Sequence, residues 1–470
     1  MRKLAGLQPE RVFYYFEEIA SIPHGSGNTE AISRYCAGVG ASLGLDAVRD
    51  AIGNVIIKKA ATAGYEDHPI VILQAHMDMV CEKAPDSDFD FEKDGLELIV
   101  EGDWIRANNT TLGGDDGIGV AMALAILEDT NLAHPALEVV LTVDEEIGLI
   151  GAAALDGSML RGRRLLNLDG GSDGVLNVGC AGGVRADVTL PITFETNALN
   201  TYRVTVDGLR GGHSGTKIGE NRLNSNIVMG EFLADLDDAR LVRIDGGLKD
   251  NAIASYTTAE VACAEDITAL VNDFVAKTRV ESDPDLIVRV ERAQTANTAM
   301  DEASTHRVLG FLTSTPNGVV SMSKDIEGLV QTSLNLGILE TDADAVKMAF
   351  GMRSSVGAEK KALYERVKGL AELFGGSCTS HGDYPEWEYR RVSPLRDVMR
   401  DVWKEMFDKE IDIKAVHAGL ECGYFCDKLE GLDAVCTTPL QVDIHTSREK
   451  LSISSVERVY RYVCEVLKHL

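Results

Sequence analysis

The sequence has no long uninterrupted hydrophobic run and few positive charges, and each shortage argues against a class of protein. No apolar stretch approaches the ~20 residues that a membrane-spanning helix needs. The N-terminal segment lacks the apolar core and small-residue cleavage site of a secretory signal, so we expect a cytoplasmic protein. Only 46 lysines and arginines stand against 74 acidic residues, a formal net charge of −28, which argues against nucleic acids and anionic membranes as partners.

Several common sequence motifs are also missing. The nine cysteines include no C-x-x-C pair, and we expect reduced, mostly buried thiols. No G-x-G-x-x-G opens a helix after the first strands, which argues against a nucleotide-binding oxidoreductase. No stretch has the P-loop pattern, and the near match to a serine-hydrolase elbow in "GLRGGHSG" fails because residue 216 is Thr.

The patterns that are present indicate two folding units. At 470 residues the chain exceeds the size at which a single core usually stops growing. In the first third, strand patterns such as "PIVILQ", "ALEVVLTV" and "RRLLNLDGG" alternate with helical ones, which predicts an α/β sheet with helices on both faces. The last residues return to this style, and "SSVERVYRYVCEVLKHL" predicts a helix with a capping box of Ser454 and Glu457.

The middle of the chain has a different pattern. Its strands and helices follow an α+β order that recurs, which indicates a weak internal duplication with halves of about 100 residues each. We therefore expect an α/β domain formed by residues 1–184 and 389–470, interrupted by an α+β domain formed by residues 185–388.

Charged side chains follow the predicted α/β strands at the points where those strands end. His76 and Asp78 are two residues apart after an apolar run, so both side chains leave the strand on the same side. Glu145 and Glu146 follow a second strand, and Asp169 follows a third. Because ligands of open α/β sheets bind outside the carboxyl ends of the strands, we expect these groups to converge there.

Two loops add further candidates. Asp115 and Asp116 stand between glycines just before an apolar helix, and His445 lies in a loop ahead of the last helix. Each residue alone has an ordinary structural explanation, but repeated acids at strand ends need a bound cation to be tolerated. The candidate ligands comprise two imidazoles and three carboxylates: His76, Asp115, Glu146, Asp169 and His445.

This ligand set predicts two divalent cations. Nitrogen and oxygen ligands without thiolate suit Zn²⁺, with Mn²⁺ or Co²⁺ as possible substitutes. Two ions ~3.5–4 Å apart need a carboxylate shared between them. Among the remaining acids, Asp78 can fix the tautomer of His76, and Glu145 can act as general base on a water held by the ions.

The ordered motifs resemble those of the M20 metallopeptidases over essentially the whole chain. The motifs "HMD", "GGDDG", "DEE", "NLDGG" and the late "DIH" carry this resemblance, and "HGSGNTE" and "HAGLECGYF" are similar to the bacterial aminoacyl-histidine (Xaa-His, cytosol non-specific) dipeptidases. The resemblance implies a zinc-peptidase-like α/β/α catalytic domain, an inserted α+β lid domain that could comprise two ferredoxin-like halves, and a homodimer.

The resemblance also implies how the metal ligands divide. One ion would be bound by His76 and Asp169 and the other by Glu146 and His445, with Asp115 bridging both. The peptide bond after this bridging residue would be cis.

Further roles follow from the same resemblance. Glu145 would accept a proton from the attacking water and pass it to the leaving amine, with Asp78 supporting His76. Within the lid, His213 would help to polarise the scissile carbonyl. The remaining substrate contacts implied are Asn251 and Arg353 to the terminal carboxylate, Gly419 near the site, and Glu421 to the free amino group.

These features predict a cytoplasmic two-zinc dipeptidase that cuts small unblocked dipeptides, including those ending in histidine. A tripeptidase or an aminoacylase with the same metals stays open, because the motifs carry the chemistry while the lid chooses the substrate. A catalytically silent metal-binding homologue is the third alternative. The presence of Glu145 and Asp78 argues against it, since such a protein has no need of a base and an orienting acid.

Overall fold

The computed structural model describes residues 2–470, which divide into two compact units. Of these residues, the first unit comprises 2–179, Tyr389–Ala415 and Leu420–Leu470, and the second comprises Cys180–Glu388 and Val416–Gly419. The second unit begins at Cys180 rather than at residue 185, because the long strand Gly182–Pro191 is part of its sheet. No helix among the described residues is long and apolar enough to cross a membrane.

The described residues form eleven α-helices and twenty-five strands. The helices are α1 (Glu10–Ala20), α2 (Glu30–Ser42), α3 (Gly114–Glu128), α4 (Ile150–Ala154), α5 (Ser225–Ala234), α6 (Val271–Thr278), α7 (Glu302–Ser314), α8 (Gly357–Leu373), α9 (Pro394–Phe407), α10 (Cys422–Lys428) and α11 (Ile453–His469). The strands are β1 (Asp46–Arg49), β2 (Val55–Lys59), β3 (Val71–His76), β4 (Leu98–Glu101), β5 (Trp104–Ala107), β6 (Leu137–Thr142), β7 (Arg164–Asn167), β8 (Val175–Cys180), β9 (Gly182–Pro191), β10 (Phe194–Thr196), β11 (Asn200–Asp207), β12 (Gly212–His213), β13 (Arg240–Gly246), β14 (Ala252–Ile253), β15 (Thr257–Cys263), β16 (Ile287–Arg292), β17 (Thr298–Met300), β18 (Gly318–Met322), β19 (Val330–Thr341), β20 (Ala345–Ser354), β21 (Ser377–Tyr384), β22 (Asp412–Val416), β23 (Asp433–Cys436), β24 (Gln441–Val442) and β25 (Lys450–Ser452).

The first unit is built on a mixed sheet with the order β1-β2-β6-β3-β7-β23-β8-β22. The central strands β6, β3, β7 and β23 are parallel to one another, and the neighbours on either side are antiparallel. All residues of β3 and β6 are buried. Because successive strand residues point to opposite faces, both faces of the sheet centre are covered, as the apolar runs of the sequence predict.

The predicted helices of the first unit are confirmed, with one correction at a helix start. The apolar helix α3 is buried along nearly all of its length. The last helix, α11, begins at Ile453, and its N-cap is Ser452, whose side chain accepts from the backbone N–H of Ser455. The capping box of Ser454 and Glu457 is therefore wrong by two residues: three of the four residues from Ser452 are serines, and the sequence pattern alone does not identify the cap.

The second unit consists of two ferredoxin-like halves that share one sheet. The first half has the order β11-α5-β13-β15-α6-β16, and the second has β9-α7-β19-β20-α8-β21. In the sheet they lie as β16-β11-β15-β13 and β19-β20-β9-β21, joined where β13 pairs with β19. The predicted duplication is confirmed, but the halves are nested rather than consecutive, since β9 precedes the whole of the first half.

The junction between these halves depends on a close backbone approach. Gly247 follows β13 with φ of +74°, and a Cβ there would overlap the carbonyl oxygen of Gly337 in β19. We expect Gly247→Ala to destabilise the protein, by about 1–2 kcal/mol for the left-handed backbone and by about 1–3 kcal/mol more for the overlap.

Gly328→Ala is the matched control, because Gly328 has φ of +76° and nothing within 4 Å of the added Cβ. Gly328→Ala should therefore lose only the stability that the left-handed backbone costs. Free energies of unfolding from denaturant titration measure both variants. Equal losses in the two variants would show that the approach of β13 to β19 tolerates a side chain.

Candidate metal centre

Parallel strands of the first unit end at one edge of the sheet and place their polar side chains there. His76 is the last residue of β3, Glu145 and Glu146 follow β6, and Asp169 follows β7. The strands β6 and β7 both pair in parallel with β3, so their carboxyl ends meet. This edge is the position expected for a ligand site in an open α/β sheet.

The carboxylate of Asp115 lies between two imidazoles. Its Oδ1 is 3.2 Å from Nε2 of His76, and its Oδ2 is 3.3 Å from Nε2 of His445. A second carboxylate accompanies each imidazole, with Asp169 Oδ2 at 3.9 Å from His76 Nε2 and Glu146 Oε1 at 2.9 Å from His445 Nε2. The structure thus brings together all five side chains predicted as ligands, in two sets that share Asp115.

The two loops that complete this cluster have unusual backbones. Asp115 and Asp116 have non-helical angles at the start of α3, and the peptide bond between them is cis, as the resemblance implies. Gly113, just before α3, has φ of +65°. His445 also lies in the left-handed region, with φ of +61°, which is uncommon for a residue with a side chain. The side chains of Asp115 and His445 are thus presented by irregular backbone rather than by a regular helix or strand.

Asp78 joins two parts of the site. Nδ1 of His76 is 3.0 Å from the backbone oxygen of Asp78 and 3.4 Å from its carboxylate. The same buried carboxylate accepts from the backbone N–H of Glu145 at 2.9 Å and of Glu146 at 3.3 Å, and from Ser26 Oγ at 2.8 Å. Asp78 therefore fixes the imidazole of His76 and the turn that follows β6.

The electrostatics of the cluster reflect an excess of buried negative charge. Hydrogen bonds to Asp115 and Glu146 raise the pKa of His445 to about 10. Burial lowers the pKa of His76, but the neighbouring carboxylates of Asp115 and Asp78 outweigh this and hold the pKa well above its usual value. Burial, together with the charge of Asp115, raises the pKa of Asp169 well above the ordinary range.

Glu145 shares this environment. Burial raises the pKa of its carboxyl group, and the charges of Asp169 and Glu421 add to the increase. A carboxyl group with a raised pKa beside a site of two imidazoles is suited to accept a proton and to release it again.

The donor set fits divalent cations. Ligand atoms of His76, Asp115 and Glu146 all lie within 4.8 Å of one another, close enough to share an ion. Imidazole nitrogen and carboxylate oxygen without thiolate suit Zn²⁺, and Mn²⁺ or Co²⁺ share this preference in part. A doubly charged ion would also balance the carboxylates that burial has made costly to ionise.

His213 is held within the second unit in one tautomer. Its Nδ1 accepts from the backbone N–H groups of Gly215 and Thr216, both at 3.2 Å. A neutral imidazole has one proton, which must then lie on Nε2, so Nε2–H is left as the donor. Burial and the charge of Arg353 lower the pKa of His213, which keeps the ring neutral at about pH 7.

Arg353 and Asn251 line one cavity of the second unit. Nη1 of Arg353 donates to the hydroxyl of Tyr384 at 2.7 Å. Asn251 adjoins β14 and accepts through its backbone oxygen from the N–H of Ser214 at 2.9 Å. Arg353, Asn251, Tyr384 and Arg185 all line this cavity, so it offers guanidinium and amide donors.

Gly419 and Glu421 lie in different environments. Gly419 is half-buried in the segment 416–419 of the second unit. Glu421 is fully buried in the first unit, where its carboxylate accepts from Gln74 Nε2 and, at 2.8 Å, from Thr142 Oγ1, and burial raises its pKa to about 7. This placement favours a supporting role beneath the strand ends, and the contact with a substrate amine stays a prediction.

Sequence reasoning missed three residues that support the site, Ser26, Tyr384 and Glu449, and gave the candidate Asp116 no role. Ser26 donates to Asp78, and Asp116 accepts from the backbone N–H of His76 at 3.3 Å. Tyr384 holds Arg353, and Glu449 accepts from the loop that carries Asp115. The motif "HGSGNTE" contains Ser26 and was the one available signal. A buried carboxyl or hydroxyl group whose partners are distant in the chain leaves no periodic pattern in the sequence.

An α/β unit that gathers imidazoles and carboxylates at the edge of its parallel strands, followed by an α+β insertion, has the arrangement of a metal-dependent hydrolase. The family model described as Peptidase family M20/M25/M40 matches residues 72–469. The chain therefore belongs to this family of peptide hydrolases.

Two relatives match the chain along nearly its whole length. The chain is 35% identical to the cytosol non-specific dipeptidase of Escherichia coli (strain K12), over 100% of this chain and 99% of that protein. It is 34% identical to the crystal structure of aminoacylhistidine dipeptidase from Vibrio alginolyticus, with a TM-score of 0.93 over 99% and 98% of the two chains. The aminopeptidase PepT structure from Bacillus cereus, 16% identical with a TM-score of 0.58 over 98% of each chain, shares the fold alone.

Cation binding is expected to release protons from the site. The pKa values of His76 and His445 lie above their usual range, so both rings are protonated at about pH 7 in protein stripped of metal. A cation binds neutral imidazole and must displace these protons, so its affinity should rise with pH towards about 10, the pKa of His445.

Calorimetric titration of Zn²⁺ into the stripped protein, in buffers of different ionisation enthalpy, measures the protons released. We expect more than one per chain, and about one fewer for His445→Asn. Zn²⁺ binding whose enthalpy is independent of the buffer would contradict a site built on protonated imidazoles.

Proposed function

We propose that this protein is a cytoplasmic dipeptidase that cuts small unblocked dipeptides, including those ending in histidine, at a centre of two divalent cations, with Zn²⁺ the favoured ion. The position of Asp115 supports this most directly, since its two oxygens lie within 3.3 Å of two different imidazoles. The two relatives that match along nearly the whole chain are named as dipeptidases, and one of them as cytosolic.

In this proposal His76 and Asp169 would hold one cation, Glu146 and His445 would hold the other, and Asp115 would contribute to both. When bound, the cations supply Lewis-acid polarisation of the scissile carbonyl and lower the pKa of a water molecule towards neutrality. Asp78 keeps the ring of His76 oriented through the contacts at its Nδ1.

Glu145 is the proposed general base. It accepts the proton of the attacking water and then delivers it to the nitrogen of the leaving amine. Its raised pKa suits both steps, because the carboxylate takes up a proton readily and the carboxylic acid formed is still strong enough to protonate an amine. Asp78 supports this role too, since its carboxylate holds the backbone N–H of Glu145 at 2.9 Å.

The second unit supplies the proposed substrate contacts. His213 presents Nε2–H, which is the donor needed to stabilise negative charge on the scissile carbonyl oxygen. Arg353 and Asn251 are proposed to bind the terminal carboxylate, for which a guanidinium held by Tyr384 is suited because it can donate two parallel hydrogen bonds. Gly419 is a further proposed contact, while the contact of Glu421 with a substrate amine and the homodimer implied by the resemblance stay predictions.

Activity on a panel of free and N-acetylated dipeptides tests this proposal. We expect hydrolysis of the free dipeptides, its loss after chelation and its return with Zn²⁺. Glu145→Gln should lower kcat/KM by roughly 10²–10⁴-fold, because no other group takes the proton. Its metal content, counted by elemental analysis, should be unchanged.

Asp144→Asn is the matched control for this variant. Asp144 belongs to the same turn, but its carboxylate accepts from the backbone N–H of Gly27 at 2.7 Å, and an amide oxygen can do the same. Its activity should stay close to that of the unaltered protein. Absence of cleavage of every peptide with metal restored would rule out the dipeptidase, and full activity of Glu145→Gln would rule out the assigned base.

Arg353→Lys separates substrate binding from catalysis. A lysine keeps the charge but loses the paired donors, so KM for free dipeptides should rise by roughly 10–100-fold while kcat changes little. Dipeptide amides, which lack the carboxylate, should be affected far less. Arg185→Lys is the control, because Arg185 lines the same cavity and pairs with Asp250. Similar changes in KM for both variants would contradict the carboxylate contact of Arg353.

A further inference from the structure

One buried carboxylate of the first unit is surrounded by the loop that carries Asp115. Glu449 is only 3% exposed, and its side chain accepts four hydrogen bonds from consecutive backbone N–H groups. The distances are 2.7 Å from Leu112 and 3.3 Å from Gly113 to Oε2, and 2.8 Å from Gly114 and 3.4 Å from Asp115 to Oε1. Both oxygens are therefore used within the protein.

The loop is shaped to fit around this carboxylate. A Cβ on Gly114 would lie 3.1 Å from Oε1 of Glu449 and 2.7 Å from Oε1 of Gln441. A Cβ on Gly113 would lie 2.8 Å from the sulfur of Met79, and the φ of +65° there also favours glycine. Gly114 thus lets the backbone approach the carboxylate closely, and Gly113 lets the loop turn beside Met79, so that the N–H groups of residues 112–115 all point at Glu449.

Glu449 belongs to the same turn as His445, in the segment between β24 and β25. Its own N–H donates to the backbone oxygen of Thr446 at 3.1 Å, and Thr446 Oγ1 donates to the backbone oxygen of Asp443 at 2.7 Å. His445 lies between Asp443 and Thr446, the two residues that the second of these bonds connects. The segment that presents one imidazole is therefore tied by a side chain to the loop that presents the shared carboxylate.

The proposed ligands Asp115 and His445 are thus linked to each other in two ways. One is their direct contact, with Nε2 of His445 3.3 Å from Oδ2 of Asp115. The other runs through Glu449 and the backbone on either side. The loop 112–115 is mostly buried, whereas the turn of His445 is exposed, and His445, with its side chain 45% exposed, has little packing of its own. The carboxylate that bonds four amides of the buried loop therefore anchors the exposed turn.

We propose that Glu449 is a positioning residue that fixes the separation of Asp115 and His445, and through it the affinity of the site for its second cation. The inference rests on the proposed two-cation centre. Glu449 does not contact a reacting group or a cation in this assignment. It acts through the loop 112–115 and the turn 443–449.

Cation affinity of the stripped protein tests this role, because it depends on ligand geometry and not on turnover. Glu449→Gln keeps the size of the side chain but replaces one acceptor oxygen with an NH₂ group facing N–H donors. Glu449→Asp keeps the charge but shortens the side chain. Titration with Co²⁺, followed by calorimetry and by visible absorption of the bound ion, gives the number of ions and the affinity of each.

Glu138→Gln is the matched control. Glu138 is also 3% exposed and accepts from the backbone N–H groups of Arg161 and Gly162, at 2.9 and 3.0 Å. It lies near the start of β6, at the opposite end from the site. Its replacement disturbs a comparable set of buried amides without touching the proposed ligands.

We expect Glu449→Gln to weaken at least one of two Co²⁺ sites by roughly tenfold or more, Glu449→Asp to be intermediate, and Glu138→Gln to bind as the unaltered protein does. Circular dichroism identifies a variant that fails to fold, in which case Glu449→Asp decides. Unchanged affinities in both Glu449 variants, or an equal loss in Glu138→Gln, would overturn the positioning role alone. An unaltered protein that binds fewer than two ions would overturn the proposed centre on which it rests.

Discussion

The shared carboxylate of Asp115, placed between the imidazoles of His76 and His445, is the interaction on which the first unit depends. Its geometry requires three segments that are far apart in the chain to meet within a few ångströms. Parallel strands bring His76 to the edge of the sheet, where burial and the contacts of Asp78 fix its position. The two loops have irregular backbones, each with a residue in the left-handed region, and the turn of His445 is largely exposed. Polar contacts therefore reinforce this edge, and Asp78 and Glu449 provide several hydrogen bonds each.

Burial of several carboxylates at one place has an electrostatic consequence. The pKa of Asp169 and that of Glu145 are raised mainly by burial, while the pKa of each imidazole is raised by the acids around it. Protons and divalent cations therefore compete for the same positions, since either can balance the negative charge. The cluster therefore either binds protons or binds a cation at these positions. Its selectivity for a cation over protons must then come from geometry, which the turns and their hydrogen bonds determine.

The sequence predicts the parts of this site that follow from periodicity. The apolar runs before His76, Glu145 and Asp169 identify strand ends, and parallel pairing then brings these residues together. Periodicity gives no information on Glu449, whose partners are backbone groups more than 300 residues earlier in the chain. The duplication in the second unit is predicted, but the nesting of its halves is not, for a related reason. Strand β9 pairs with β20 and β21 across an entire intervening half, so a repeat read in chain order assigns it to neither half.

In both units, hydrogen bonds to backbone or hydroxyl groups fix side chains of the candidate site. In the first unit these bonds hold acids that repel one another, and a cation would balance their charge. In the second unit they hold hydrogen-bond donors: His213 in one tautomer through Gly215 and Thr216, and Arg353 through Tyr384. The imidazole of His213 is neutral, while the guanidinium of Arg353 is a cation whose hydrogen-bond partner, the hydroxyl of Tyr384, leaves its charge unbalanced and available to an anion. If the second unit binds the substrate as proposed, its side chains could change substrate preference without disturbing the balance of charge around Asp115.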